Sequence, residues 1–474
     1  MSRFRVPCAD SSFHVVNLGC AKNVVDGDSM AALLQDAGYH AVRKPARARF
    51  LVVNTCGFIG PAREESVRVL RELAAAKRPG QLLVAAGCLT QRDGRDVVRL
   101  VPGVDGVLGT RRWMDIVPVV GRLRSGRNPA PLFHLPDAPT VGRDEAGVLR
   151  ASVAGGSAYL KIADGCRRPC AFCAIPAIKG PAVSRPLETI VAEARLLRDR
   201  GVRELILIAQ DTTDYGHDLG LRDGLAQLVE ALVAAVPDIT WLRLLYAYPG
   251  HVTRRLIAAM AEHEQVVPYL DMPLQHAHPA TLRRMRRPAD VDWVRRTVAE
   301  LRAALPEPAL RTTFIVGYPG ETDAEFSALL DFVREMRFDR VGAFRFSFER
   351  GTPSEPLGDP VPGHVKDERY EQLMELQQGI SLAANQALMG RRLQVLVDGA
   401  GDGVSVARSY RDAPEIDGLV IVEGELPVGA MAAVEITGAL AYDLTAAPAP
   451  AAVAPAALPS AAPPRPTLPD GRTP

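Results

Sequence analysis

The sequence predicts an α/β protein of three folded units: a doubly wound parallel-sheet N-terminal domain, a partial (β/α)6 barrel and a small C-terminal all-β barrel. Three observations carry this expectation. Apolar strand-length runs alternate with helical spacing from residue 13 onward, and a second alternation of six such pairs begins near residue 152. Between residues 391 and 444 the runs instead become short, β-branched and separated by glycine and proline. The units are placed at 11–127, 152–382 and 385–448.

In the first unit the strands are FHVVNLGC (13–20), FLVVNTCGF (50–58) and QLLVAAGCL (81–89), each containing a cysteine at its end. SMAALLQDAGY and PAREESVRVLRELAAA have helical spacing between them, and Gly109 closes a further short run. RNPAPLFHLPDAPTVGRDEAG (127–147) reads as a linker because proline and glycine punctuate it.

Six strand candidates follow: SAYLKIADGC, ELILIAQDTT, WLRLLYAYP, YLDMPLQH, RTTFIVGYPGE and RVGAFRFSFE. The segments between them, such as PLETIVAEARLLRDRG and DAEFSALLDFVREMRF, repeat apolar residues three and four apart. In a barrel of this kind the active site lies at the carboxyl ends of the strands. A long helix near 364–389 leads to RLQVLVDG, GLVIVEG and MAAVEITGAL of the last unit. From Ala446 the chain is almost wholly alanine and proline, and residues 449–474 are expected to be a disordered tail without apolar surface to bury.

The 474 residues are 47% hydrophobic and 23% charged, enough for several cores, while 56 basic against 55 acidic side chains leave no overall field for collecting nucleic acid. No apolar run approaches the roughly 20 residues that span a bilayer, and the amino end lacks a signal-peptide pattern. A cytoplasmic protein with no membrane partner is expected. Seven cysteines are too few for a secreted disulfide scaffold, so grouped cysteines read as metal ligands or catalysts.

Cys166, Cys170 and Cys173 lie in KIADGCRRPCAFCAIP, after the first strand of the second unit. Three thiols at Cys-x3-Cys-x2-Cys spacing ligate three irons of a 4Fe-4S cubane and leave the fourth open. S-adenosylmethionine fits that vacancy through its amine and carboxylate, and an electron from the cluster would cleave its sulfonium to a radical. The alternative is zinc, completed by a distant fourth ligand such as His217 or His276. At the end of the fifth strand Gly317 and Gly320 would let a ligand approach the backbone, with Glu321 the next polar group.

Cys20, Cys56 and Cys88 end three successive strands, 36 and 32 residues apart, each beside a glycine (Gly19, Gly57, Gly87). Ligands of doubly wound sheets bind along that edge. The arrangement suggests a second iron-sulfur site, against the alternative of three inert core thiols. Cys8 precedes the first strand and is expected not to ligate.

GCAKNVVD, NTCGFI, GCLTQR, GCRRPCAFCAIP, YLDMPLQH and FIVGYPGET together resemble the methylthiotransferases of the radical S-adenosylmethionine superfamily along nearly the whole folded length. The resemblance implies a TIM-like radical barrel, a C-terminal TRAM barrel and two 4Fe-4S clusters: an auxiliary one on Cys20, Cys56 and Cys88, and the radical-generating one on Cys166, Cys170 and Cys173. It implies two S-adenosylmethionine molecules per turnover, one methylating sulfur at the auxiliary cluster and one generating the radical, with a sulfur source and a one-electron reductant as partners. It also puts Phe172, Gly317, Gly320 and Glu321 by the adenine, and Gln210 and Asp211 by the methionine end. Departures from the family pattern are VVDGDSM after Asn23 and Lys179 in place of arginine, which put only peripheral contacts in question.

Within the family, GCAKN, LIAQDTTDYG, WLRLLYAYP and RSYRDAPEIDG resemble the branch acting on an aspartate of small-subunit ribosomal protein number twelve, rather than the branch acting on isopentenyl-adenosine in transfer RNA. The last unit carries four arginines and nine carboxylates between Arg391 and Thr445, a poor match for RNA phosphates and a good one for a basic protein. Asp412, Glu415 and Asp417 are read as the negative cluster that attracts it, and no transfer RNA partner is expected. A non-catalytic iron-sulfur scaffold is the alternative from another class.

Overall fold

The computed structural model describes residues 11–126, 131–136 and 147–449. The first unit runs β1 (Ser12–Asn17), α1 (Ala21–Asp36), β2 (His40–Ala41), β3 (Phe50–Thr55), α2 (Gly60–Ala76), β4 (Leu82–Gly87), α3 (Cys88–Leu100), β5 (Gly106–Gly109), α4 (Ile116–Arg124) and β6 (Leu132–His134). Its strands form one parallel sheet in the order β2-β1-β3-β4-β5-β6. Every residue of β3 is buried because helices cover both faces. Phe50 and Val52 pack with Met30 and Val119 on one side, while Leu51 and Val53 pack with Leu70 and Val97 on the other.

Two boundaries differ from the sequence reading. β6 pairs with β5 from inside the expected linker, since Leu132 is apolar and buried there. Helix α1 begins at Ala21, eight residues before the periodic segment, and takes in the weak helix formers of NVVDGDSM. Tertiary contacts override propensity there: Asn23 Nδ2 donates to Leu18 O at 2.7 Å, and Asp26 is buried in ion pairs.

In the second unit, β8 (Ser157–Lys161), β11 (Glu204–Ile208), β12 (Trp241–Leu244), β13 (Val266–Asp271), β14 (Ala309–Val316) and β15 (Arg340–Arg345) are parallel neighbours in sequence order. These are the six expected strands. β7 (Ala151–Ala154) adds antiparallel to β8, and the sheet curls without closing. Around it lie α6 (Leu187–Asp199), α7 (Gly224–Ala235), α8 (Arg254–Glu262), α9 (Pro279–Arg284), α10 (Val291–Ala304), α11 (Asp323–Met336) and α12 (Gly363–Gln386). After β8 come the short β9 (Ala163–Asp164), α5 (Ile175–Lys179) and β10 (Val183–Ser184), with β9 and β10 paired.

The third unit is a closed barrel of β16 (Arg392–Gly401), β17 (Val404–Ser409), β18 (Val420–Glu423), β19 (Met431–Ala439) and β20 (Leu444–Pro448). Ala446, where the alanine- and proline-rich stretch begins, is fully buried between Val422 and Ile436 as part of β20. Cys8 and residues 450–474 lie outside the described residues.

The loop between β17 and β18 corrects the docking expectation. Asp412 accepts Arg340 Nη2 at 2.6 Å, and Asp417 accepts Tyr269 Oη at 2.6 Å and Arg311 Nε at 3.2 Å. Both carboxylates are buried against arginines of the second unit, so they cannot attract a partner; only Glu415 of the three is exposed. Ala413 of the same loop packs with Tyr159, Ile206 and Trp241 inside the partial barrel. The small barrel is therefore bolted to the amino-end side of those strands. Among the described residues no helix is long and apolar enough to cross a membrane.

Candidate active site

The carboxyl edge of the first sheet faces the carboxyl ends of the barrel strands, and one cavity of about 320 Å³ lies between them. All six predicted cysteine ligands line it, together with Phe172 and Gln210. Cys20 is the residue on which α1 starts, Cys56 follows β3, and Cys88 is the first residue of α3. The adjacent glycines serve close packing of these turns on one another. A Cβ on Gly19 would stand 2.9 Å from Cys56 Sγ, one on Gly57 would stand 2.5 Å from Leu89 Cα, and Gly87 adopts φ +100° with Thr55 O at 2.6 Å.

Cys166, Cys170 and Cys173 sit on the loop after β9, which is tied down at both flanks. Cys166 N donates to Gly180 O at 3.0 Å and Ala171 N to Met285 O at 2.8 Å. Arg167 forks onto Asp214 with contacts of 2.6 to 2.9 Å, and Arg168 Nε donates to Asp211 at 2.6 Å. Asp211 is thus engaged in holding the cysteine loop, and it does not line the cavity. Arg168 and Arg287 stack on Tyr248, 4.5 and 4.3 Å from its ring centroid, and Arg287 Nη1 donates to Cys170 Sγ at 3.5 Å.

Gly317, Gly320 and Glu321 also lie off the cavity lining. Glu321 accepts from His276 Nε2 at 3.0 Å, from Arg369 at 2.8 Å and from Gly317 N, so both its oxygens are occupied in shaping the end of β14. His276 is buried in that network and His217 lies in a different cleft, so neither completes a cysteine triplet.

Burial works against the thiolate form at four of the six cysteines. Burial pushes Cys166 up to about 11 and Cys173 to about 12. Burial also raises Cys88 to about 12, opposed by the Lys179 ammonium, and raises Cys56. Any metal group bound by these thiols would have to displace their protons, so its loading would release protons. Among the described residues no group of three or more His, Cys, Asp or Glu side chains is gathered as around a single metal ion. Each triplet supplies the donor set that a 4Fe-4S cluster would take, one thiolate per iron. Gln210 Oε1 is buried with no hydrogen-bond partner among the described residues, so a donor on a ligand fits there. Phe172 closes one wall, packing on Met285, Ile315, Tyr318 and Phe346.

Lys179, expected to be peripheral, is instead buried on the cavity wall, where it pairs with Asp26 at 2.8 Å and Asp164 at 3.3 Å. The sequence reading also assigned no role to Arg168, Tyr246, Tyr248, Gln275 or Arg287, all of which line the cavity. No local sequence signal marks them, and the structure itself singles out two: Tyr246 (φ +62°) and Gln275 (φ +75°) hold left-handed backbone conformations just past the carboxyl ends of β12 and β13, costly for any residue with a side chain.

Comparison with known proteins agrees with this geometry. Residues 12–109 match the family described as "Uncharacterized protein family UPF0004", 160–333 the radical SAM superfamily and 389–448 the TRAM domain. "Ribosomal protein uS12 methylthiotransferase RimO" of Chloroflexus aurantiacus is 50% identical over 91% of this chain and 98% of its own length. The chain belongs to the RimO family. A RimO protein of Roseiflexus sp. strain RS-1 is likewise 50% identical, over 91% of this chain and 96% of its own. The RimO fold is shared more distantly by the radical S-adenosylmethionine methyltransferase TsrM of Kitasatospora setae, 16% identical with a TM-score of 0.53 over 73% of this chain and 75% of that one.

Proposed function

We propose that this chain transfers a methylthio group to the β-carbon of an aspartate in small-subunit ribosomal protein number twelve, acting in the cytoplasm with two 4Fe-4S clusters and two S-adenosylmethionine molecules per turnover. The observation that carries the reading is the convergence of two cysteine triplets from different units on one cavity. Cys166, Cys170 and Cys173 would hold the radical-generating cluster, and Cys20, Cys56 and Cys88 the auxiliary one. Bound there, these groups supply one-electron cleavage of the sulfonium and a site for the sulfur that is transferred.

The protein's part is binding, orientation and exclusion of water. Asp211 and Asp214 fix the radical-cluster loop through Arg168 and Arg167. Gln210 Oε1 offers an acceptor to the amine of S-adenosylmethionine, and Phe172 offers an apolar wall to its adenine. Gly317, Gly320 and Glu321 act by shaping the strand end behind that wall. A sulfur source and a one-electron reductant complete the reaction, and transfer RNA is not a substrate.

Alanine at Cys166, Cys170 and Cys173 should remove about half the iron and all cleavage of S-adenosylmethionine. Alanine at Cys20, Cys56 and Cys88 should remove the other half, keep cleavage and stop methylthio transfer. Two clusters surviving in the second variant would overturn the ligand assignment. Methylthiolation of transfer RNA, with none on the ribosomal protein, would overturn the substrate.

A further inference from the structure

Four cationic side chains line the cavity: Lys22, Arg168, Lys179 and Arg287. Three are committed. Arg168 pairs with Asp211 and Asp214, Lys179 with Asp26 and Asp164, and Arg287 is held by Pro273 O, Cys170 and the Tyr248 ring. Among the described residues Lys22 pairs with no carboxylate; its ammonium instead rests on the Tyr246 ring, 3.2 Å from the centroid. That ring is a fixed platform. Tyr246 is held at φ +62° by its own amide, which donates to Asp271 at 3.2 Å, and by its carbonyl, which accepts Thr212 N at 3.1 Å.

Lys22 also sits where helix electrostatics disfavour it. It lies in the first turn of α1, two residues after Cys20, with no acidic residue in that turn and no side-chain cap. The helix N-terminus carries partial positive charge, so a lysine there adds to a repulsion that an anion would relieve. A local rule broken beside a site, offset only by a ring face and by no anion, points to a ligand.

We propose that Lys22 is the specificity residue that binds the carboxylate of the substrate aspartate, so that its β-carbon stays in the space between the two cysteine triplets. The inference rests on the function proposed above. A carboxylate drawn into a cavity away from water requires a cation partner; Lys22 and Arg287 are the lining cations that pair with no carboxylate among the described residues, and of the two Arg287 already donates to Pro273 O and Cys170, whereas the Lys22 ammonium donates no hydrogen bond there.

The test is a cycle between enzyme and substrate. Binding of the purified ribosomal protein, and of its variant with asparagine at the target aspartate, is measured for the reconstituted parent enzyme and for Lys22→Gln and Lys22→Arg. The parent should prefer aspartate by about tenfold or more, Lys22→Gln should lose that preference, and Lys22→Arg should keep part of it. The iron content and electron paramagnetic resonance signal of the auxiliary cluster should match the parent in both variants. Retained discrimination in Lys22→Gln would overturn the proposal. So would a shifted cluster signal with discrimination intact, which would make Lys22 a counter-charge for the cluster. A parent enzyme that modifies no ribosomal protein would instead remove the functional reading, and this inference with it.

Discussion

Asp26 on α1 and Lys179 at the end of α5 meet at 2.8 Å with both side chains all but excluded from water, joining the helix that starts at Cys20 to the segment that follows Cys173. Lys161, Arg150 and Asp164 join the group, so among the described residues' ion pairs three cations face two carboxylates. The two partners of the central pair are therefore not equivalent. Removing Lys179 leaves two charges of each sign, whereas removing Asp26 leaves three cations with one acid. Asp26→Asn should cost about 3–5 kcal/mol, the scale for orphaning a buried charge, and Lys179→Met clearly less. Thermal unfolding of the two variants checks this; equal losses would show that the excess positive charge is neutralised in some other way.

A pH dependence follows from the start of α11. Thr322 and Glu325 form a capping box, and Arg284 Nη2 donates to Glu325 at 2.6 Å. Burial alone would raise the Glu325 carboxyl, but Arg284 and the Thr322 amide outweigh it and bring it to about 2, from 4.5 in the unfolded chain. The folded state thus holds this proton less tightly than the unfolded one. The stabilisation is complete above pH 4.5 and is lost as pH falls toward 2. Glu325→Gln should lower the denaturation midpoint at neutral pH, and the two curves should converge across that acid window.

The small barrel gives a prediction opposite in kind to the one its composition suggested. Because Asp417 and Asp412 pair with Arg311 and Arg340 inside the joint between units, Asp417→Asn or Asp412→Asn should loosen the barrel from the core by about 3–5 kcal/mol. Proteolysis between α12 and β16 should rise, and added salt should change the parent's resistance little, since buried pairs are weakly screened. A rise in the Michaelis constant for the ribosomal protein, with no new cleavage, would restore the docking role.

What was legible in the sequence was whatever a short period or a fixed spacing encodes. The six barrel strands, the two cysteine triplets and the β-branched barrel are of that kind; Cys20, Cys56 and Cys88 follow strands of the first parallel sheet, and the loop carrying Cys166, Cys170 and Cys173 meets them at one cavity. Hidden were features set by partners distant in sequence. Asp412 looks like a surface acid until Arg340, 72 residues away, covers it. Lys161 looks like the polar break in a strand until Asp26, 135 residues away, neutralises it. The start of α1 was hidden because NVVDGDSM is poor helix sequence, fixed there by contacts with the strand ends.

The turn after β14 allows a prediction with an internal control. Gly317 has φ +72°, and a Cβ there would run into the Lys366 stem; Gly351 has φ +75° with nothing within 4 Å of the same position. Alanine at either site meets the left-handed backbone penalty of roughly 1–2 kcal/mol. Only Gly317→Ala adds overpacking, a further 1–3 kcal/mol or about that. Lys366 cannot simply swing aside, because its ammonium donates to Phe346 O at 3.1 Å and pairs with Asp359. Gly317→Ala should therefore destabilise the protein clearly more than Gly351→Ala. Shortening the stem with Lys366→Ala in the Gly317→Ala background should recover the excess but not the backbone penalty, a coupling read from the four unfolding midpoints of a double-mutant cycle. Equal effects at Gly317 and Gly351 would mean that the β14 turn yields without strain, and that its glycine is required by something other than Lys366.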